Sequence, residues 1–245
     1  MTRVIVHVAK IAVAVITALL MSSCGFESNF KKIDGNGNVV TKTRPASQDF
    51  NAVSVSGGLE VIVEQGSRRT ITVEADENLH EHIKTEVKDG VLEVSVEGNI
   101  RNAKASRVIV QLPEIAGLES SGGAVLSTKG SLKADTIEME TGGGGNMDVT
   151  VNAKVVKCDS GSGSHLSLHG TAERLEAEAS SGSHLNAKDL MVKTAVAEAS
   201  SGGHAYINVS EDLTAEASSG GQIVYKETPG NINKKTSSGG NVSQE

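Results

Sequence analysis

Residues 179–205 read ASSGSHLNAKDLMVKTAVAEASSGGHA, and the stretch opens and closes on the same phrase. A Ser/Gly cluster, a His and a small or apolar residue return after twenty positions. The phrase recurs on both sides. Its clusters are Ser120–Gly123, Gly142–Gly145, Ser160–Ser164, Ser180–Ser183, Ser200–Gly203, Ser218–Gly221 and Ser237–Gly240. The residues that follow them are Ala124, Asn146, His165, His184, His204, Gln222 and Asn241, spaced by 22, 19, 19, 20, 18 and 19 positions. Seven returns at so regular a period mark a repeat architecture, and a repeat governs every local reading made inside it.

Apolar residues keep step with the clusters. One position beyond the marker lie Val125, Met147, Leu166, Leu185, Ala205, Ile223 and Val242. Three beyond it lie Val149, Leu168, Ala187, Ile207 and Tyr225, with Ser127 the polar exception. Seven before it lie Met139, Cys158, Ala177, Ala197 and Ala215; nine before it lie Ile137, Val156, Leu175, Ala195, Leu213 and Ile232. Charged residues such as Glu138, Lys157, Glu176 and Glu198 fall between. This is an alternation of period two, hence strands. Two short strands and a turn per repeat close one coil of a β-helix, whose equivalent residues stack about 4.8 Å apart. Gly tolerates positive φ at the corner and Ser bonds nearby backbone. The 27 Gly and 2% aromatic content suit a narrow core of small aliphatics. The fold class is therefore all-β, a single-stranded parallel β-helix of coils of about twenty residues, with a β-rich N-terminal capping region.

Ahead of the repeats the pattern is less regular. Strands are expected at Val39–Thr43, within residues 50–64 around a turn at Ser56–Gly58, and at Thr70–Ala75, Val91–Val96 and Val108–Leu112. Glu77–Thr85 is the one stretch that suits a short helix, capped by Asp76 or Asn78. Asp89–Gly90 is a hairpin turn. The region can begin the solenoid and close its first coil, because an open β-helix end exposes unpaired backbone.

The first residues are of another kind. Arg3 and Lys10 precede the apolar run Ile11–Met21, which at about 1.5 Å per residue is too short to span a bilayer. It reads as a secretory signal peptide ending in Met21-Ser22-Ser23-Cys24-Gly25, a lipobox in which Cys24 takes the lipid. Acyl and diacylglyceryl chains together anchor firmly where one chain does not. Four segments result: a signal peptide over 1–23, the lipidated Cys and a polar tether over 24–46, an N-terminal β region over 47–115, and the Ser/Gly-turn repeats over 116–245. Cleavage before Cys24 leaves 21 basic against 30 acidic residues, a net charge near −9. That charge excludes nucleic acid as a partner, since a polyanion needs a cationic face. With Cys24 lipidated, Cys158 stands alone, so no intramolecular disulfide and no Cys-based metal site is expected.

In their order, several phrases resemble the bacterial head GIN domain family, also described as auto-transporter adhesins and common as lipoproteins in Bacteroidetes-type bacteria. They are Gly35-Asn36-Gly37-Asn38-Val39 with Arg44-Pro45, then Val53–Val61, then Val73–Leu79, then the Ser-Ser-Gly-Gly repeats. The resemblance spans nearly all of the chain after Cys24. It implies a right-handed parallel β-helix and a surface location, and it supplies no catalytic residues.

Three constellations invite chemistry. His165, His184 and His204 share one repeat position and would form a ladder about 5 Å apart, the candidate metal ligands of this chain. Asn146, Gln222 and Asn241 at the same position favour an exposed polar column instead. Ser164-His165 and Ser183-His184 suggest a nucleophile and base, but they recur with the repeat, and turn chemistry accounts for them. Glu178, Glu198 and Glu216 would stack into a carboxylate ladder, the feature a polysaccharide-cleaving β-helix would need; a solvated face is the simpler reading. Gly142–Asp148 lacks the Asp position and the nine-residue period of calcium β-rolls. The expectation is thus a non-catalytic envelope lipoprotein without cofactor, at the outer membrane. Its solenoid would be a structural or adhesive module that meets a glycan or protein ligand. The alternatives are a polysaccharide enzyme, and a periplasm-facing envelope or signalling lipoprotein that binds a protein partner.

Overall fold

The structure is a computed structural model that describes residues 31–46 and 48–245. The signal peptide and Cys24 lie outside the described residues. The strands are β1 (Lys32–Asp34), β2 (Val39–Arg44), β3 (Ala52–Val55), β4 (Glu60–Gln65), β5 (Thr70–Asp76), β6 (Ile83–Lys88), β7 (Val91–Val96), β8 (Asn99–Arg101) and β9 (Ser106–Leu112). They continue as β10 (Gly117–Ser120), β11 (Val125–Lys129), β12 (Leu132–Thr141), β13 (Asn146–Ser160), β14 (His165–Ala179), β15 (His184–Ala199), β16 (His204–Ala217), β17 (Gln222–Tyr225), β18 (Asn231–Thr236) and β19 (Asn241–Gln244).

Alternation of apolar and polar residues makes each repeat a single long strand bent once. In β13, Met147, Val149, Val151 and Ala153 point inward, Lys154 and Val155 both face outward, and Val156 and Cys158 point inward again. Two outward residues in succession are the bend, and the same break falls at Glu173-Arg174. Each long strand pairs in parallel with the next, so β12 to β16 form a solenoid with coils of about 19 residues. Leu166 pairs with Leu185, Leu185 with Ala205 and Ala205 with Ile223, one inward column through four coils.

The Ser/Gly clusters turn each coil into the following one. Their two central residues both have positive φ: 46–58° at Gly122, Gly143, Ser162, Ser181, Ser201, Ser219 and Ser238, and 69–79° at the Gly that follows each. That is a type I′ turn, in which Gly is the residue without a Cβ penalty. The fourth-position N–H returns to the first-position carbonyl at 2.8–3.2 Å, as from Gly203 to Ser200 and from Ser183 to Ser180. The turns also bond to one another up the stack, Gly182 N–H to Ser201 O and Gly202 N–H to Ser219 O.

Three expectations are corrected. The first repeat marker is Val125 and not Ala124: Val125 pairs with Asn146, and Leu126 with Met147. Ala124 is the buried fourth turn residue, Val125 is 44% exposed, and the polar Ser127 falls in the outward column with Asp148. Second, no α-helix forms over Glu77–Thr85. A single 3-10 turn spans Glu77–Leu79 without a side-chain cap, and Ile83 starts β6 in antiparallel pairing with β7. Asp76 is drawn elsewhere, as described below. Third, Lys32–Asp34, expected within the tether, forms β1 and pairs with β8, while the strand expected at Val39–Thr43 is β2, paired with β5.

The order of the first coils is a finding of the structure alone. β3 and β4 do form a coil beneath β10 and β11. Yet β7 and β9, later in the chain, pair in parallel with the opposite edges of β3 and β4. The chain lays its second coil at the outer side of its first, then crosses back over Pro113–Ala116 to resume the stack. Antiparallel β5 and β6 cover the outermost edges of β9 and β7. The capping expected at this end is present.

Candidate binding faces of the solenoid

Outward positions of the walls align as rigorously as the inward ones. On the wall that precedes each turn, one column runs through Glu119, Glu140, Asp159, Glu178, Glu198 and Glu216, and ends at Lys235. The sequence showed the last three carboxylates of this ladder. The others follow only once Glu119 is paired with Glu140 and Glu140 with Asp159. Lys235 holds Glu216 at 2.7 Å, while Glu119 to Glu198 have no ion pair among the described residues. Lys157 and Arg174 bind the neighbouring Glu138 and Glu176 instead, at 3.3 and 2.9 Å. Partial burial, then the charges of Asp159 and Glu198, push the Glu178 carboxyl above its usual range. The column borders a groove of about 540 Å³ with Leu118, Met139, Cys158 and Ala177 in its floor. Burial drives the Cys158 thiol far up, and its Sγ donates to the Glu176 carbonyl at 3.5 Å, so this thiol is unreactive.

On the wall that follows each turn, Val125, Asn146, His165, His184, His204, Gln222 and Asn241 form the outward column. The three imidazoles stack face to face, with centroids 4.9 and 5.0 Å apart and planes inclined by 20° and 8°. Partial burial, then the flanking His165 and His204, lower the pKa of the central His184. A tetrahedral ion with bonds of about 2.0–2.1 Å holds its nitrogens roughly 3.4 Å apart. Rings stacked at 5 Å do not converge to that spacing. Among the described residues no group of three or more His, Cys, Asp or Glu is placed to hold a metal ion.

Ser and His are adjacent in sequence but not in space. Ser164 and Ser183 are fully buried, and their hydroxyls donate to the carbonyls of Thr141 and Ser160 inside the corner. The His that follows each one faces out, because neighbouring strand residues point to opposite sides of the wall. The Ser164 hydroxyl also joins those of Thr141 and Ser160 in a closed cluster, with Thr141 Oγ1 to Ser160 Oγ at 3.0 Å and Ser160 Oγ to Ser164 Oγ at 3.1 Å. Its donors are consumed within the core.

Two polar groupings escaped the sequence reading. His169 sits between Asp148 at 3.3 Å and Asp189 at 3.7 Å, because a bulge between Ser167 and His169 brings Asp189 opposite it. Lys188 lies 4.7 Å over the Tyr206 ring and pairs with Glu245 at 2.7 Å. The extra residue shows in the sequence as the twenty-position step from His184 to His204, but which side chains it brings together does not, so neither grouping was legible.

The match to known proteins follows this architecture. No curated protein matches the chain. Solved structures share its fold. One is a "putative adhesin" from Bacteroides fragilis, at TM-score 0.78 and 19% identity over 87% of this chain and 100% of that one. A "putative lipid binding protein" from Parabacteroides distasonis gives 0.71 and 21% over 88% and 100%. A "putative adhesin" from Parabacteroides merdae gives 0.68 and 22% over 87% and 99%. The model of the family described as "putative auto-transporter adhesin, head GIN domain" matches residues 49–229, from the coil of β3 and β4 to the coil closed by β17. The chain therefore belongs to the head GIN domain family.

Proposed function

We propose that the protein is a non-catalytic, lipid-anchored module of the cell envelope whose solenoid adheres to a surface ligand through its ladders of repeated side chains. The observation that carries this reading is repetition itself. Outward columns repeat one kind of group about every 4.8 Å over successive coils, three imidazoles in one and six carboxylates in another, a format for many weak contacts with an extended glycan or protein. The residues that could have formed a nucleophile and base face opposite sides of their wall. Membership of an adhesin family supports the same reading.

The test uses the protein displayed on its own cells and the purified chain. Binding to host cells, matrix or an immobilised glycan array above that of an unrelated acidic β-protein is expected; uniform background binding would remove adhesion. Anchoring is tested separately: labelled palmitate should enter the wild type and not Cys24→Ala. Added protease should degrade the protein on intact cells; full protection would favour the periplasm-facing reading. The acidic groove favours one second reading, cleavage of a polysaccharide, and product release in a glycan degradation screen would establish it.

A further inference from the structure

The two ends of the solenoid are finished differently. At the N-terminal end the outermost parallel strands, β7 and β9, already carry antiparallel partners. At the C-terminal end, among the described residues, β18 pairs only with β16, and β19 only with β17. Their second edges offer unpaired N–H and C=O groups, the template on which sheets join.

The inward columns change character in this coil. Below it, the position of Lys234 is held by Met139, Cys158, Ala177, Ala197 and Ala215 in turn. The ammonium thus sits where every earlier coil has a core residue. Its stem crosses the top of the core, and Nζ donates to Tyr225 Oη at 2.9 Å, 4.6 Å from the ring centroid. Gln244 likewise follows Tyr225 in its column and Thr236 follows Ala217. Ile232, 40% exposed, is what remains of the apolar surface on β18.

We propose that Lys234 guards the C-terminal end of the solenoid and keeps two chains from pairing edge to edge through β18 and β19. A head-to-tail stack would set β18 against β6, which runs opposite to the coils, and β19 against β2, which runs with them, so only one wall would continue its parallel ladder. The surface that fits an unguarded β18–β19 edge is therefore the same edge of a second copy, across a two-fold axis. In that dimer two Lys234 ammoniums would leave water together. Each has one acceptor, Tyr225 Oη, and two remaining N–H groups without partners. Like charge and lost hydration oppose the contact, while backbone pairing favours it. An inward-pointing charge is a device by which open sheets avoid this association. Lys235, on the outward side and paired with Glu216, plays no such part.

Sedimentation velocity of the full purified chain tests the assignment, with amide hydrogen exchange read on the same samples. The wild type should remain monomeric. Lys234→Met keeps an unbranched stem over Tyr225 and removes the charge together with its hydrogen bond to Tyr225 Oη; it should dimerise at least about a hundredfold more tightly, with new amide protection confined to β18 and β19. Lys235→Met should stay monomeric. A folded, monomeric Lys234→Met overturns the proposal, as does a wild type that already dimerises through this end or protection arising elsewhere. Should Lys234→Met lose its fold, Lys234→Gln is judged by the same criteria.

Discussion

Asp76 Oδ2 accepts the N–H of Gly37 at 2.8 Å, joining segments thirty-nine residues apart. The same carboxylate accepts N–H groups from Lys104 at 3.2 Å and Ala105 at 3.1 Å. Gly35 packs against it so closely that a Cβ would collide with its oxygen. Asn78 reinforces the junction, accepting from Asn36 N–H and donating to the Asp34 carbonyl. One fully buried side chain thus ties β1, β2 and the segment before β9 into the N-terminal cap.

Burial opposes ionisation of Asp76, but its three N–H donors and the Lys104 charge outweigh it and hold the carboxyl below its ordinary value. A depressed carboxyl contributes stability above the unfolded value of about 3.9, lost as pH falls through the folded one. Asp76→Asn should lower Tm by several degrees at pH 7 and flatten the acid limb of a Tm–pH series. An unchanged limb would remove Asp76 from this role.

The turn ladder makes positional demands on small residues. A Cβ at Gly203 would overlap the Ala179 carbonyl, whereas Gly202 has open space but a φ of 74°. Gly203→Ala should cost about 2–3 kcal/mol in urea unfolding, as for other clashes with fixed backbone. Ser201→Gly relaxes a φ of 49° and should lie within about 1 kcal/mol of wild type, because the freer unfolded chain offsets the gain.

Large and small residues alternate up the core: Leu185 lies against Ala205, and Ala187 against Ile207. Leu185→Ala should destabilise by about 3 kcal/mol through the cavity it leaves. Adding Ala205→Leu should recover part of that loss, a coupling of about 1 kcal/mol or more in a double-mutant cycle. Strict additivity would show that the two do not share a space.

Glu178 lies between Asp159 and Glu198 in the carboxylate column, and its raised pKa makes its charge a cost to the native state. A raised carboxyl lets the folded state hold its proton longer, so stability falls as pH rises through that value. Glu178→Gln should raise Tm by about 1–2 °C at pH 7 in low salt. The advantage should shrink as salt screens the column.

His184 behaves oppositely. Its pKa is lowered in the fold, so the unfolded chain binds the proton more readily, and stability declines as pH falls below about 6.5. NMR titration should place His184 below the ordinary histidine value. His184→Gln should reduce the loss of Tm between neutral and mildly acid pH.

How far the sequence reached depended on the range of the interaction. Columns such as Leu166–Leu185 and Glu178–Glu198 were legible because each repeat carries its own alternation and its own turn. The slip at Val125 came from counting a four-residue turn as ending at Gly123, when Ala124 is its last member. The helix expected over Glu77–Thr85 failed because pairing of Ile83–Lys88 with β7 outweighs the local helical preference of a few polar residues.

By itself the sequence determined the all-β solenoid, a coil of about twenty residues, the columns inside and outside the walls, and the place of the turns. Period-two alternation and positive-φ chemistry are local properties that repetition amplifies. The tertiary structure alone decided that β7 and β9 stack outside β3 and β4, that Asp76 gathers N–H groups from two distant backbone segments, and that Lys234 lies over the end of the core. Each depends on which edge is free when a distant segment arrives, and no short stretch of chain encodes that.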